Sequence, residues 1–279
     1  MKLSGLVKRI LVLLLLSPTF KTLYPQDPVK SAGFVPYVGQ AGKDVIWVPT
    51  PPELVNKMLE IAGVTEKDYL IDLGSGDGRT VIAAAKMGAQ ALGIEYNPDM
   101  VEISKKKAEE AGVSMRTKFI RADLFEYDLS EATVITMFLL PEINMKLRSR
   151  LLDLKPGTRI VSNTFTMGDW EPDNETMTDG NLDSWYTALM WVIPAKIDGI
   201  WNLGPGILTI HQKFQMIFGT LKTDDKTSII TGGRLNGNMI TFSVDGAAYS
   251  GIVTGKTGMS GTMTSGSAIS RWVGIREDH

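Results

Sequence analysis

The sequence predicts an α/β protein: a doubly wound, mainly parallel sheet, followed by a small all-β domain, either a barrel or a sandwich. Three observations predict it. Between residues 50 and 193 short apolar runs alternate with amphipathic stretches, the pattern of a parallel sheet covered on both faces. Alternating glycines follow one of the apolar runs directly, in "YLIDLGSGDGRTVIAAAK" at 69–86. After Pro194 the helical periodicity stops, and short alternating runs rich in glycine take over.

The elements follow in order. "PPELVNKMLEIAG" opens on prolines suited to a helix start and closes on Gly63, a C-cap residue. Residues 69–73 read as a buried strand and 78–87 as a helix; 89–95 is a second strand and 98–111 a helix ending at Gly112. Residues 118–122 form a third strand, "ATVITMFLL" a fourth, "EINMKLRSRLLDLKPG" a helix and "TRIVSNTF" a fifth strand. "GDWEPDNETMTDGN" reads as an acidic loop, after which "SWYTALMWVIPA" returns a strand to the first sheet. In the tail, Asn236-Gly237 is a type I′ hairpin signal, and "YSGIVTGKTGMSGTM" reads as another hairpin. The expected domains are 35–194 and 195–279.

The first residues stand apart. In "MKLSGLVKRILVLLLLSPTF", Lys2, Lys8 and Arg9 precede an apolar run at 10–16. That is the layout of a secretory signal, and the run is short for a membrane span. No A-x-A cleavage site follows, so an uncleaved membrane anchor stays open. Residues 1–22 are therefore set aside from the fold. The expected location is exported or anchored in the inner membrane, with a cytoplasm-facing enzyme as the alternative.

Composition narrows the chemistry. Apolar content of 43% and charged content of 22% describe an ordinary globular chain of 279 residues. A net charge of −2 gives no general affinity for nucleic acid. The chain has no cysteine and two histidines, His211 and His279. Thiol nucleophiles and zinc-thiolate sites have no material to form from, two such scattered histidines argue against Ser-His or His-metal catalysis, and no metal site is expected.

The glycine turn carries the function. Asp72, Gly74, Gly76 and Gly78 make D-x-G-x-G-x-G at a strand-to-helix turn, where glycines let the backbone approach a ligand and the helix start offers N–H groups. A GxGxxG dinucleotide fingerprint would need glycine or alanine at 79, which is Arg79. A P-loop would need GK[ST], also missing. Glu95 ends the second strand about twenty residues on, where a carboxylate takes ribose hydroxyls. Asp123 follows the third strand, where an acid can accept from an adenine amino group. Singly, each acid is equally a cap for the next helix. Together they lie at the carboxyl ends of neighbouring strands, where Rossmann-like sheets bind ligands.

These segments resemble motif I and its neighbours in the seven-β-strand S-adenosylmethionine methyltransferases. More narrowly, "VPTPPELVNKMLEIAGV", "DLGSGDGRTVIAAAKMGAQALGIEYNP" and "ADLFEYDLSEATVITMFLLPEINMKLRSRLLDLKPGTRIVS" resemble the lysine methyltransferases of archaea and mitochondria. Mitochondrial members of that family modify the ATP synthase c-subunit and the adenine nucleotide translocase. The likeness covers residues 47–172 and leaves out the tail. It implies S-adenosyl-L-methionine as cofactor and methyl transfer to a protein lysine by in-line displacement. It implies that Asp72, Gly74, Gly76 and Gly78 hold the methionine part, Glu95 the ribose and Asp123 the adenine. Ser75, Tyr96 and Leu124 adjoin those positions and count with them, and Thr50 and Pro51 lie over the cofactor and help close the site, with helix initiation alone as the equal alternative.

"MFLLPE" follows the fourth strand, where related enzymes place the acceptor. Leu140, Pro141 and Glu142 are candidates for that slot, with Glu142 able to orient an ammonium; the alternative is that Pro141 and Glu142 only start the helix. Trp170, Trp185 and Trp191 could wall the acceptor, with core packing the favoured reading. The expected partner is a protein substrate presenting lysine, with membrane association through the N-terminus and no nucleic acid. Two other functions stay open: a small-molecule or lipid methyltransferase, and an exported partner-binding protein with an inactive methyltransferase fold.

Overall fold

The computed structural model describes residues 34–178 and 186–277. Residues 1–22, expected to be a signal or anchor, and Trp185 lie outside the described residues. The contiguous unit Val35–His279 holds both sheets.

The first sheet has seven strands in the order β3-β2-β1-β4-β5-β7-β6. Its parallel part comprises β1 (Tyr69–Leu73), β2 (Gln90–Glu95), β3 (Thr117–Arg121), β4 (Val134–Met137) and β5 (Arg159–Asn163). Then β7 (Thr187–Val192) runs antiparallel beside β5, and β6 (Asn174–Met177) closes the edge against β7. The stretch expected to be an acidic loop therefore contains an edge strand. Its polar sequence fits an edge, where one ladder partner suffices and burial is slight.

Alternation decides which face each residue serves. Leu70, Ala91, Val134 and Val161 pack on one side with α1 (Pro52–Ile61), α2 (Arg79–Lys86) and α3 (Pro98–Glu110). Ile71, Leu92, Ile135 and Ile160 pack on the other, with Ile143, Leu147 and Leu151 of α4 (Pro141–Leu151). Each such aliphatic side chain, fully withdrawn from water, contributes about 1.5–3 kcal/mol. Three helices begin with proline at the first helical position: Pro52, Pro98 and Pro141. The Asn97 side chain caps α3 by accepting from the Asp99 amide at 2.9 Å. The first sheet reverses direction of travel between β1 and β4, and the crevice opens there at the strands' carboxyl ends.

The second sheet is a closed antiparallel barrel of eight staves. It is built from β8 (Gly199–Asn202), β9 (Ile207–Lys213), β10 (Met216–Lys222), β11 (Thr227–Ile229) with β12 (Thr231–Asn236), β13 (Met239–Val244), β14 (Ala247–Thr254), β15 (Gly258–Ser265) and β16 (Ala268–Arg276). Pairing of β16 with β8, and of β9 with β10, completes the ring. Trp201, Ile210, Leu235, Ile240 and Phe242 fill it with side chains. The sequence's hairpin signal is displaced: Asn236 pairs with Met239, so the two-residue loop is Gly237-Asn238. Only Gly237 has a positive φ there, at 58°, a type II′ pattern rather than I′. The I′ pattern sits at Asp245-Gly246, where both φ values are positive, at 51° and 80°.

The barrel is joined to the segment between β5 and β6 by polar bonds, of which the Trp170–Gln215 bond is buried. Trp170 Nε1 donates to Gln215 Oε1 at 2.9 Å, and Gln215 Nε2 donates to the Glu171 carbonyl at 2.8 Å. Phe214 stacks on Trp170 with centroids 5.6 Å apart, and Arg234 pairs with Asp173 at 2.6 Å.

Candidate active site

The glycine turn is braced from within. The Gly74 and Ser75 amides both donate to the Ile94 carbonyl of β2, at 2.9 and 3.0 Å. The Gly76 amide donates to Glu95 Oε2 at 2.9 Å, and Glu95 Oε1 accepts from the Asn97 amide at 2.9 Å. Gly76 has φ +53°, and a Cβ there would lie 2.4 Å from Trp47 Nε1. Gly78 has φ +79° as the N-cap of α2, and a Cβ would collide with Phe119 and Ser104. Glycine at 76 thus admits the strap above the turn, and glycine at 78 lets the helix close on the sheet.

Asp77, which sequence reasoning passed over, locks the turn to its surroundings. Arg79 grips its carboxylate with Nε and Nη2, each at 2.8 Å, and Lys107 adds a bond of 2.6 Å. Burial alone would raise its pKa, but Arg79 and Lys107 outweigh that and hold it down at about 2. The basic residues at a helix start and one helical turn short of a helix end were the available signal.

Asp72 is in the opposite condition. It is buried, accepts from the Thr136 hydroxyl at 2.7 Å and faces two other acids. Burial pushes its pKa up to about 7 against the Thr136 hydrogen bond, and the Glu95 and Asp77 charges add to the rise.

A strap ahead of α1 covers the crevice. Its turn is held by Gly39 donating to the Trp47 carbonyl, Trp47 to Gln40 and Gly42 to Val45, each at 2.9 Å. Lys43 on this strap reaches Asp123 at 2.5 Å and lies 5.0 Å from the Tyr96 ring centre. The Lys43 hydrogen bond, helped by the Phe125 amide, holds the Asp123 carboxyl below its ordinary range. Thr50 is buried at the strap's end: its Oγ1 accepts from Asn163 Nδ2 at 3.3 Å, and its carbonyl accepts from Arg79 at 2.8 Å.

Three cavities meet under the strap, and Val45 lines all of them. The first is walled by Thr50, Asp72, Gly74, Ser75 and Gly76. The second is walled by Tyr96, Asp123 and Leu124 with Ile94, Leu139 and Ile143, a largely apolar space whose charged lining groups are Lys43, Asp44 and Asp123. Glu95 stands between the segments forming the two, with both oxygens on backbone amides and each keeping a lone pair. The third holds about 110 Å³ and is lined by Val45, Ile46, Val48, Phe138, Leu140 and Phe165.

Of the predicted residues, Thr50, Asp72, Gly74, Ser75, Gly76, Tyr96, Asp123 and Leu124 come together on these walls. Gly78 lies behind the turn. Pro141 and Glu142 sit exposed in the first turn of α4, and Leu140 alone of that trio lines the third cavity. Trp170 and Trp191 are fully buried in the core, where Trp191 Nε1 donates to the Trp170 carbonyl. Phe138 and Phe165, stacked 5.9 Å apart, are the aromatic wall that the sequence did not single out.

The residues present suit S-adenosyl-L-methionine. Ser75 Oγ is buried with no hydrogen-bond partner among the described residues, a group that a ligand at the turn would satisfy. Asp72 and Glu95 supply acids, and the second cavity supplies a slot for a flat base.

Comparison with known proteins agrees. The ANTKMT methyltransferase domain model matches residues 72–174. A protein-lysine N-methyltransferase from Saccharolobus islandicus is 42% identical over 53% of this chain and 94% of its own. The mouse lysine N-methyltransferase of the ATP synthase c-subunit is 40% identical, over 38% of this chain and 44% of that one. The chain thus spans nearly all of the archaeal relative and less than half of the mouse one. A solved structure described as an RNA methyltransferase from Salinibacter ruber, in complex with S-adenosyl-L-homocysteine, is 50% identical. It covers 54% of this chain and 96% of that one, with a TM-score of 0.51. The barrel from Gly199 onward lies beyond the 72–174 match. On the glycine turn, its acids and these likenesses, the chain belongs to the ANTKMT methyltransferase family and is an S-adenosyl-L-methionine-dependent methyltransferase.

Proposed function

We propose that the chain methylates a lysine amine of a protein substrate, through in-line displacement in the crevice under the strap. One observation carries the acceptor class: all six side chains lining the third cavity are apolar. Such a slot accommodates the aliphatic stem of lysine and disfavours the ammonium form, because desolvation lowers an amine's pKa. A neutral amine is the nucleophile that the reaction needs. The names of the archaeal and mouse relatives point to the same acceptor.

The sulfonium brings its own leaving group, so the protein chiefly orients the reactants, a contribution of about 7–11 kcal/mol in well-aligned systems. Asp72 offers negative charge to the cofactor's cationic end, Glu95 accepts from ribose hydroxyls and Asp123 from the adenine amino group. The strap keeps water out, with Val45 at the meeting point of the cavities.

The experiment is transfer of labelled methyl from S-adenosyl-L-methionine into extracts of the source cell, with protease, ribonuclease and lipid extraction as separate arms. Label on a protein lysine is the expected result. The half-identical relative described as an RNA methyltransferase favours a second reading, in which ribonuclease removes the label; label in lipid or small metabolites would likewise end the lysine proposal. Membrane association through the N-terminus is part of this proposal, and a reporter fused to the C-terminus tests which side the enzyme faces.

A further inference from the structure

Thr164 holds a backbone conformation that β-branched residues rarely adopt, with φ +61°. The Phe165 amide donates to the Asn163 carbonyl at 2.7 Å, so residues 163–165 close a γ-turn of the uncommon, strained hand. The turn is held from several sides. The Thr164 amide donates to the Thr187 carbonyl of β7 at 2.7 Å, and its hydroxyl donates to Asn163 Oδ1 at 2.8 Å. Buried Asn144 of α4 reaches back with Nδ2 to the Phe165 and Thr166 carbonyls, each at 3.2 Å. Asn163 in turn donates to Thr50 on the strap. Strain persists only where the surroundings over-determine it, and it gathers at functional sites.

The consequence lies in the third cavity. The turn ends β5 at Asn163 and sets the Phe165 ring against Phe138, 23° from parallel, so that both rings form part of the lining. Val45, Ile46 and Val48 of the strap complete the lining with Leu140.

We infer that Thr164 is a positioning residue and Phe165 the specificity-determining wall of the acceptor slot. Together they fix its width so that it takes an unbranched primary alkyl amine and excludes a branched one. The inference rests on reading this cavity as the acceptor's. A γ-turn clamped by Asn144, Asn163 and Thr187 fixes the backbone from which the ring projects, and the stacked Phe138 backs the ring.

The test uses the full chain saturated with S-adenosyl-L-homocysteine and follows thermal stabilisation by n-pentylamine and by its branched isomer neopentylamine, at alkaline pH. The wild type should bind the linear amine about tenfold more tightly. Phe165→Ala should bring the ratio close to one, with Phe165→Leu standing in if the alanine variant does not fold. Thr164→Gly, which tolerates the positive φ, should keep the preference; Thr164→Pro, whose ring forbids it, should lose the preference while S-adenosyl-L-homocysteine binds as before. No amine binding to the wild type, no linear preference, or a preference that survives Phe165→Ala would overturn the inference. A preference surviving Thr164→Pro would overturn the positioning role. Label found in RNA with the amine preference intact would instead sink the lysine reading alone.

Discussion

Glu95 accepts a hydrogen bond from the Gly76 amide at 2.9 Å, nineteen residues away in sequence. The acid that ends β2 is thereby the brace of the glycine turn. Its second oxygen holds Asn97, whose side chain caps α3. The turn, the second strand and the third helix are thereby tied through this one side chain.

Asp72 gives the apoprotein a pH dependence of definite sign. Its pKa of about 7 in the fold exceeds the ordinary 3.8 that the unfolded chain has. The fold therefore holds this proton more tightly. The contribution to stability is complete below about pH 4 and is lost as the pH rises through 7. Asp72→Asn removes that loss. Thermal denaturation without cofactor, at about pH 5 and about pH 8, should show the wild type losing more stability across the interval than the variant. Equal losses would contradict the burial of this charge.

Gly76 and Trp47 should be energetically coupled. A methyl group at 76 meets the Trp47 indole at 2.4 Å and must also hold φ +53°. Gly76→Ala should cost about 1–2 kcal/mol for the left-handed backbone, with the collision added. Trp47→Ala in the same chain relieves the collision but not the backbone. A double-mutant cycle on urea denaturation should return a coupling of about 0.5–3 kcal/mol. Simple additivity would mean that the strap does not rest on the turn.

Gln215 bonds the barrel to the segment between β5 and β6 through Trp170 and Glu171. Gln215→Leu keeps the bulk and strands the buried Trp170 Nε1–H, at about 1–3 kcal/mol. Chemical denaturation should show that loss in a single transition if the barrel and sheet unfold together. A loss under ~0.5 kcal/mol would contradict a dry, bonded junction.

Much of this was legible in the sequence because strong local patterns carried it. Continuous apolar strands such as "ATVITMFLL" can only be buried on both faces, and prolines at 52, 98 and 141 mark helix starts by what proline cannot do. Asp72, the glycines and Asp123 lay together because a parallel sheet brings strand ends to one edge. What escaped was set by tertiary context. The edge strand β6 has the composition of a loop, and its pairing with β7 comes from the sheet it joins. The hairpin at Asn236 shifted by one residue because the register with β13 fixed Gly237-Asn238 as the loop. Phe138 and Phe165 carry no signal as slot residues: a strained Thr164 and a strap whose Val45 and Val48 lie 24 and 21 positions before Tyr69, the start of β1, make the cavity. Glu142 stands exposed in the first turn of α4, where the helix dipole favours an acid.

The most direct measurement is calorimetric titration of S-adenosyl-L-homocysteine into the wild type and Glu95→Ala. The account predicts saturable one-site binding to the wild type. It predicts a loss of at least about tenfold in the variant, as expected when a charged hydrogen-bonding partner worth about 1.5–3 kcal/mol is removed. Absence of heat with the wild type, or equal affinity in both proteins, would contradict the placement of the cofactor at the braced glycine turn.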